Sequence, residues 1–135
     1  MTHHLETKFE ITSWDERPYR ELDDAGKFTR ADVQLTASAG GLEAEAFFEA
    51  LMCYLADGSS SYVSLLHVSG RIGERAGSFT LQGNGTYDGT TARTDFAVVP
   101  NSGSGDLAGI SGSGVSESTH ADYPYMPLRL DYELP

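Results

Sequence analysis

Basic residues are scarce in this chain. Nine Lys and Arg stand against 20 Asp and Glu, which gives a formal net charge of −11 over 135 residues. Binding to nucleic acid or to an anionic membrane needs clustered Lys and Arg, whereas these are scattered singly or in loose pairs. The composition therefore predicts neither a nucleic-acid partner nor a membrane partner, and the charge is typical of a dissolved, self-repelling surface.

Cysteine and long apolar runs are equally sparse. Cys53 is the one cysteine, so an intrachain disulfide is excluded, and its place in an apolar run indicates a buried, inert thiol. Residues 1–8 lack the apolar stretch of a secretory signal. The run 47–56 is interrupted by Glu49 and is too short to cross a bilayer. We expect a cytoplasmic protein.

Recognised catalytic motifs are also missing. The chain has no nucleophile elbow, phosphate-loop lysine, His-Glu-x-x-His or paired cysteines, and its four histidines show no metal-ligand spacing. Residues 103–108 fit a permissive dinucleotide pattern, but Gly109, Gly112 and Gly114 would break the helix that such a site needs. These glycines are better explained as turns and bulges at a barrel rim. The sequence therefore predicts no cofactor and no metal site.

What the chain does have is alternation of apolar and polar residues with a period of two. Residues 29–37 show it plainly, and residues 5–13 and 126–134 repeat it, which predicts half-buried β-strands. Further strands are predicted at about 61–69, 75–83, 92–99 and 107–117, separated by Gly-rich turn signals.

Residues 42–55 are ambiguous because they are rich in good helix formers. As a strand, they present one all-apolar face opposite Glu43, Glu45 and Glu49, and the neighbouring strands favour this interpretation. The sequence then predicts a single domain, residues 1–135, of the all-β class: eight antiparallel strands that close into a barrel. Residues 14–27 are predicted to form a polar link across a barrel mouth, with Trp14 as its anchor.

A barrel of eight strands has an interior that side chains fill or that holds one small ligand. The apolar strand faces carry the candidate ligand-binding residues, although core packing is an equally good interpretation for their two tyrosines. The candidates are Phe48, Met52, Tyr54, Phe79, Phe96 and Tyr132.

His67 is the candidate catalytic acid or base, provided that its strand turns it into the lumen. The alternative is a buried histidine satisfied by a neighbour. Glu43, Glu45 and Glu49 would supply a general base if their face looked inward. An exposed acidic stripe is the favoured interpretation, because burial of three unpaired carboxylates is costly.

The order of short motifs along the chain resembles a known family. The motifs are WDERP at 14–18, GLEAE at 41–45, LMCY at 51–54, GRIGERAGSFTLQ at 70–82, VVPNSGSGDLAGISG at 98–112 and LDYEL at 130–134. Together they are similar to a bacterial, largely actinobacterial family of unknown function with an allene oxide cyclase-like (calycin-like) barrel. The chain departs from it at Asn101, where relatives tend to have Gly, and at Ser104, where they tend to have Thr. The resemblance implies an eight-stranded antiparallel barrel with residues 42–55 as a strand, and it supplies no catalytic residues.

Three functions fit this sequence. The first is a barrel that binds a small hydrophobic molecule and acts as a cofactor-free cyclase or isomerase by confining its substrate; by analogy, barrels of that fold catalyse such reactions. The second is a carrier that releases its ligand unchanged. The third is a structural or assembly barrel with a filled core that binds through its outer faces, a class that includes homo-oligomers. The residues do not decide whether the protein is an enzyme.

Overall fold

Eight antiparallel strands, each hydrogen-bonded to its neighbours in chain order, close into one barrel. The computed structural model describes residues Met1–Pro135. The strands are β1 (His3–Glu21), β2 (Lys27–Ala39), β3 (Leu42–Tyr54), β4 (Ser60–Ile72), β5 (Arg75–Tyr87), β6 (Thr91–Val98), β7 (Ser111–Thr119) and β8 (Tyr125–Glu133). Closure is made by β1 and β8, which pair from His3↔Tyr132 to Glu10↔Tyr125. The predicted all-β, eight-stranded antiparallel barrel is confirmed, including the strand over 42–54.

The alternation read from the sequence sets which side chains face inward. On β2, for example, Ala31, Val33 and Leu35 are fully buried while Arg30 and Gln34 point away from the core. The inward faces of the eight strands join into one hydrophobic core of 22 buried residues. Because every strand has two neighbours, the backbone groups of the sheet are paired without an open edge along most of its length.

One end of the barrel, which we call the closed end, is filled by the segment 99–110. β6 has 8 residues and β5 has 13, so the first half of β5 pairs with β4 but has no strand partner on the side of β6. Segment 99–110 covers that edge: Ser104 N donates to Ser78 O (2.9 Å), and Thr80 N donates to Ser102 Oγ (3.1 Å). Leu107 and Ile110 from the same segment are buried in the core.

The glycine-rich sequence of segment 99–110 follows from this close approach. A Cβ at Gly77 of β5 would lie 2.0 Å from Ser104 O, so only glycine lets the segment cross there. Asn101 adopts φ +66°, a conformation that Asn tolerates. The predicted rim turns are therefore present, and the helix here spans only Gly105–Leu107.

Two sequence-based boundaries were wrong. Residues 14–21 are not a link across the barrel mouth but the continuation of β1, paired with β2 as far as Glu21↔Lys27. The strand predicted over 107–117 begins only at Ser111, because residues 105–110 fold inward to fill the closed end.

Cys53 is half-buried on the outer face of β3, rather than fully buried as predicted. None of the short helices has the length and apolar character needed to span a membrane.

Candidate functional site

A pocket occupies the opposite end of the barrel, which we call the open end. The β3–β4, β5–β6 and β7–β8 turns surround it, and its volume is about 380 Å³. Thirteen of its 20 lining residues are hydrophobic. Five of the chain's seven tyrosines and its one tryptophan line it: Trp14, Tyr54, Tyr62, Tyr87, Tyr123 and Tyr125. The size and the aromatic walls are those of a small-molecule site.

A register shift in β1 brings the residues of its second half into this pocket. Up to Ile11, the odd-numbered residues of β1 face inward; the shift between Ile11 and Ser13 reverses that order. Trp14 then pairs with Val33, and Glu16 with Ala31, both of which face the core. The bulge therefore turns Trp14 and Glu16 toward the mouth of the pocket at the open end, where Trp14 remains 46 % exposed.

Glu16 is held in place by neutral donors. Thr29 Oγ1, which is buried, donates to Glu16 Oε2 (2.8 Å), and Trp14 Nε1 donates to Glu16 Oε1 (3.1 Å). Glu16 takes part in none of the seven ion pairs of the structure. The site therefore holds a carboxylate that faces the open end and has no cationic partner. The period-two pattern of β1 did not predict this orientation of Glu16.

Hydroxyl groups line the wall opposite β1. Tyr62 Oη and Thr94 Oγ1 are 2.7 Å apart, and burial raises the pKa of Tyr62. Ser64, one inward position deeper on β4, has a buried Oγ with no hydrogen-bond partner. The pocket therefore combines apolar walls with a few polar groups at fixed positions, the arrangement that orients a bound small molecule.

A histidine lies at the rim. His120 Nε2 is 2.6 Å from Tyr87 Oη, the two rings meet edge to face, and Tyr87 Oη also donates to Gly89 O (2.9 Å). Both rings line the pocket. His120 follows β7 in the turn before β8, and only the closure of the barrel brings this turn beside Tyr87. No three His, Cys, Asp or Glu side chains converge as metal ligands.

The structure divides the six predicted ligand-binding residues into two groups. Phe48, Met52 and Tyr54, all on β3, line the pocket. Phe79, Phe96 and Tyr132 face inward but are packed in the hydrophobic core and do not line it. Position along the barrel, rather than inward orientation, separates the groups.

His67 lies outside the lumen. Its neighbours Leu66 and Val68 are the inward residues of β4, so His67 is on the outer face, where it stacks on Phe47 and its Nδ1 is 2.9 Å from Thr80 Oγ1. His67 was a catalytic candidate only if it faced the lumen, and it does not. His120 is the histidine that the pocket contains.

The glutamates of β3 face outward, as the favoured interpretation held. Glu43 pairs with Arg71, Glu49 pairs with Arg30, and Glu45 is exposed.

Between these charges lies an exposed apolar patch on the outer faces of β3 and β4. It consists of Phe47, Leu51, Val63 and Leu65, each between 42 and 54 % exposed.

Tyr54 is neutral over a wider pH range in the folded protein than in the unfolded chain. Burial first, and then the neighbouring Glu16 carboxylate, raises the pKa of Tyr54 from 10.0 to about 12. Its contribution to stability is therefore complete below pH 10.0 and is lost as the pH rises toward about 12. We expect the free energy of unfolding in urea to fall across this window, and to fall less in Tyr54→Phe. An equal decline in the two proteins would contradict this account of Tyr54.

The fold and the site together define a closed eight-stranded barrel with one filled end and one aromatic pocket. The chain belongs to the family of proteins of unknown function DUF3224, whose model matches residues 5–132. The match agrees with the sequence analysis, in which the order of short motifs resembled a family of unknown function.

A solved structure has the same architecture. The chain is similar, at 26 % identity and a TM-score of 0.75, to the crystal structure of a DUF3224 protein of unknown function from Shewanella oneidensis MR-1. The match covers 100 % of this chain and 99 % of that one. Among curated proteins, none matches this chain.

Proposed function

We propose that this protein binds a small hydrophobic molecule in the pocket at the open end of the barrel. The observation that carries the proposal is the pocket itself, about 380 Å³ in volume with 13 hydrophobic residues among its 20 lining residues. Volumes of roughly 300–1,000 Å³ are usual for sites that enclose small ligands. Apolar side chains fill the other end of the barrel, so the space at the open end is not a general consequence of the fold.

Trp14 provides the test, because it is the one tryptophan and it lines the pocket. N-phenyl-1-naphthylamine is a neutral, apolar probe whose absorption overlaps tryptophan emission. We expect saturable quenching of Trp14 emission, with one probe bound per protein. A Trp14→Phe variant has no tryptophan emission to quench, but its pocket should still bind the probe and increase the emission of the probe. Linear, non-saturating quenching would contradict a defined site.

Catalysis in the same pocket is the second candidate. Its support is the His120–Tyr87 pair, which puts a proton donor and acceptor on the pocket wall, together with the allene oxide cyclase-like barrel suggested by the motifs. A cofactor-free isomerase or cyclase would confine its substrate there while this pair moves a proton. The contrasting candidate is a carrier, which needs only the apolar walls.

Native mass spectrometry separates these two candidates. The protein is incubated with a hydrophobic metabolite extract, and the captured compound is released and chromatographed against the input. An isomerase or cyclase returns the same mass at a new retention time, and His120→Gln abolishes that change. A carrier returns the compound unchanged in both proteins.

Self-association is the candidate that the outer apolar patch favours. Contiguous exposed apolar side chains such as Phe47, Leu51, Val63 and Leu65 are typical of interaction surfaces. A second copy of the chain would cover this patch without using the pocket, so assembly and ligand binding are compatible. Light scattering at micromolar concentration tests it, since a monomeric mass throughout would contradict a homo-oligomer.

A further inference from the structure

The pocket wall carries no ionised side chain, and the two ammonium groups near it, Lys27 and Lys8, lie against the rings of Tyr54 and Tyr125. None of its 20 lining residues is Lys, Arg, Asp or Glu, and the carboxylate at its rim is Glu16. A ligand carboxylate that entered would find no guanidinium or ammonium on the pocket wall, while Glu16 and the net charge of −11 would repel it.

The Glu16 carboxylate still has room for a further donor. Two carboxylate oxygens offer about four acceptor positions. Thr29 Oγ1 and Trp14 Nε1 fill two of them, and the Tyr54 hydroxyl is a third neighbouring donor. All three donors are neutral, so the negative charge is not compensated. A ligand that brings an ammonium group would supply the missing charge through a charge-assisted hydrogen bond.

The rings beside Glu16 suit the same group. Trp14 and Tyr54 line the pocket next to the carboxylate, and aromatic faces attract ammonium ions. Lys27 already shows this attraction, because its Nζ lies 5.6 Å from the centroid of the Tyr54 ring. Lys27 makes no ion pair with Glu16, so it does not take the place of a ligand cation.

Resting on the proposed function, we propose that the pocket selects apolar amines, whose ammonium group binds Glu16 and whose hydrocarbon part occupies the aromatic cavity. Glu16 is then the residue that determines specificity, and Phe48 and Met52 contact the apolar part. Neutral molecules of the same shape bind more weakly, and carboxylates bind most weakly.

Three probes with one skeleton test this assignment: 1-naphthylmethylamine, 1-naphthalenemethanol and 1-naphthoic acid, measured by isothermal titration calorimetry at neutral pH. We expect the amine to bind about tenfold or more tightly than the alcohol, as a hydrogen bond to a charged group supports, and the acid to bind weakest. In Glu16→Gln, which keeps an acceptor for Thr29, the amine should lose this advantage while alcohol binding persists.

Glu45→Gln is the matched control, since it removes the same charge from an exposed position on the outer face of β3. It should leave the order of the three probes unchanged. Equal binding of the three probes, or tightest binding of the acid, would overturn the amine assignment and leave the binding function standing. Binding of none of them would overturn both.

Discussion

Phe79→Ala is expected to lower the free energy of unfolding by about 3–5 kcal/mol. Phe79 is 1 % exposed, pairs in register with Val68 and lies in the core rather than in the pocket. Truncation removes its transfer free energy and leaves a cavity that the backbone cannot close, because β5 is held here by β4 on one side and by segment 99–110 on the other. Urea unfolding followed by circular dichroism measures the change.

The control for this variant is Phe47→Ala, which truncates the same side chain where it is 42 % exposed on the outer face. Its effect should stay within about 1 kcal/mol. A loss below about 1 kcal/mol for Phe79→Ala itself would contradict a filled core at this level of the barrel. Binding of N-phenyl-1-naphthylamine should survive in the folded fraction of both variants.

Ala92→Phe is expected to weaken probe binding by about tenfold or more, which corresponds to about 1.4 kcal/mol. Ala92 lines the pocket, between Tyr87 of β5 and Ser118 of β7, so a larger side chain there occupies the space that a ligand would use. The added ring enters an open cavity rather than a packed core, so thermal stability should be retained. The Trp14 titration measures the affinity.

Ala97→Phe is the matched control on the same strand. Ala97 is exposed on the outer face, while Phe96 and Val98 on either side of it face the core. Introducing the same ring there should leave the affinity unchanged. If Ala97→Phe weakened binding as much as Ala92→Phe, the probe would be on the outside of the barrel, and the pocket would not be the binding site.

The barrel was predictable because alternation with a period of two records which side chains are buried. The pattern is uninterrupted from Ala31 to Ala37 on β2 and from Leu128 to Tyr132 on β8, and the buried residues there are those that the sequence indicated. On β3, the all-apolar face with Ala46, Phe48 and Ala50 outweighed a composition that favours helix, because the surrounding strands bury that face. Burial thus decided the structure where local propensity did not.

The pocket was only partly predictable because two of its determinants are not local. The bulge after Ile11 reverses the faces of β1. From the sequence alone, Glu16 is therefore predicted to be an exposed residue of a polar segment. Depth along the barrel depends on the stagger of the strands. Phe48 and Phe79 are both inward aromatics in the sequence, but only Phe48 reaches the pocket.

The histidines illustrate the same limit. His67 stands in an apolar run and attracted a catalytic interpretation, but a shift of one position along a strand moves a side chain to the opposite face. His120 stands in a polar turn between β7 and β8 and carries no motif. The one local signal near it is the aromatic pair Tyr123 and Tyr125, which also line the pocket.

Methionine methyl NMR tests most directly whether the open-end pocket takes a small hydrophobic molecule. The chain has three methionines: Met52 and Met126 line the pocket, and Met1 is 98 % exposed. In protein labelled with ¹³C at the methionine methyls, addition of N-phenyl-1-naphthylamine should shift the signals of Met52 and Met126 in a saturable way and leave Met1 unmoved. Saturable binding of the probe with the Met126 signal unchanged would contradict the account.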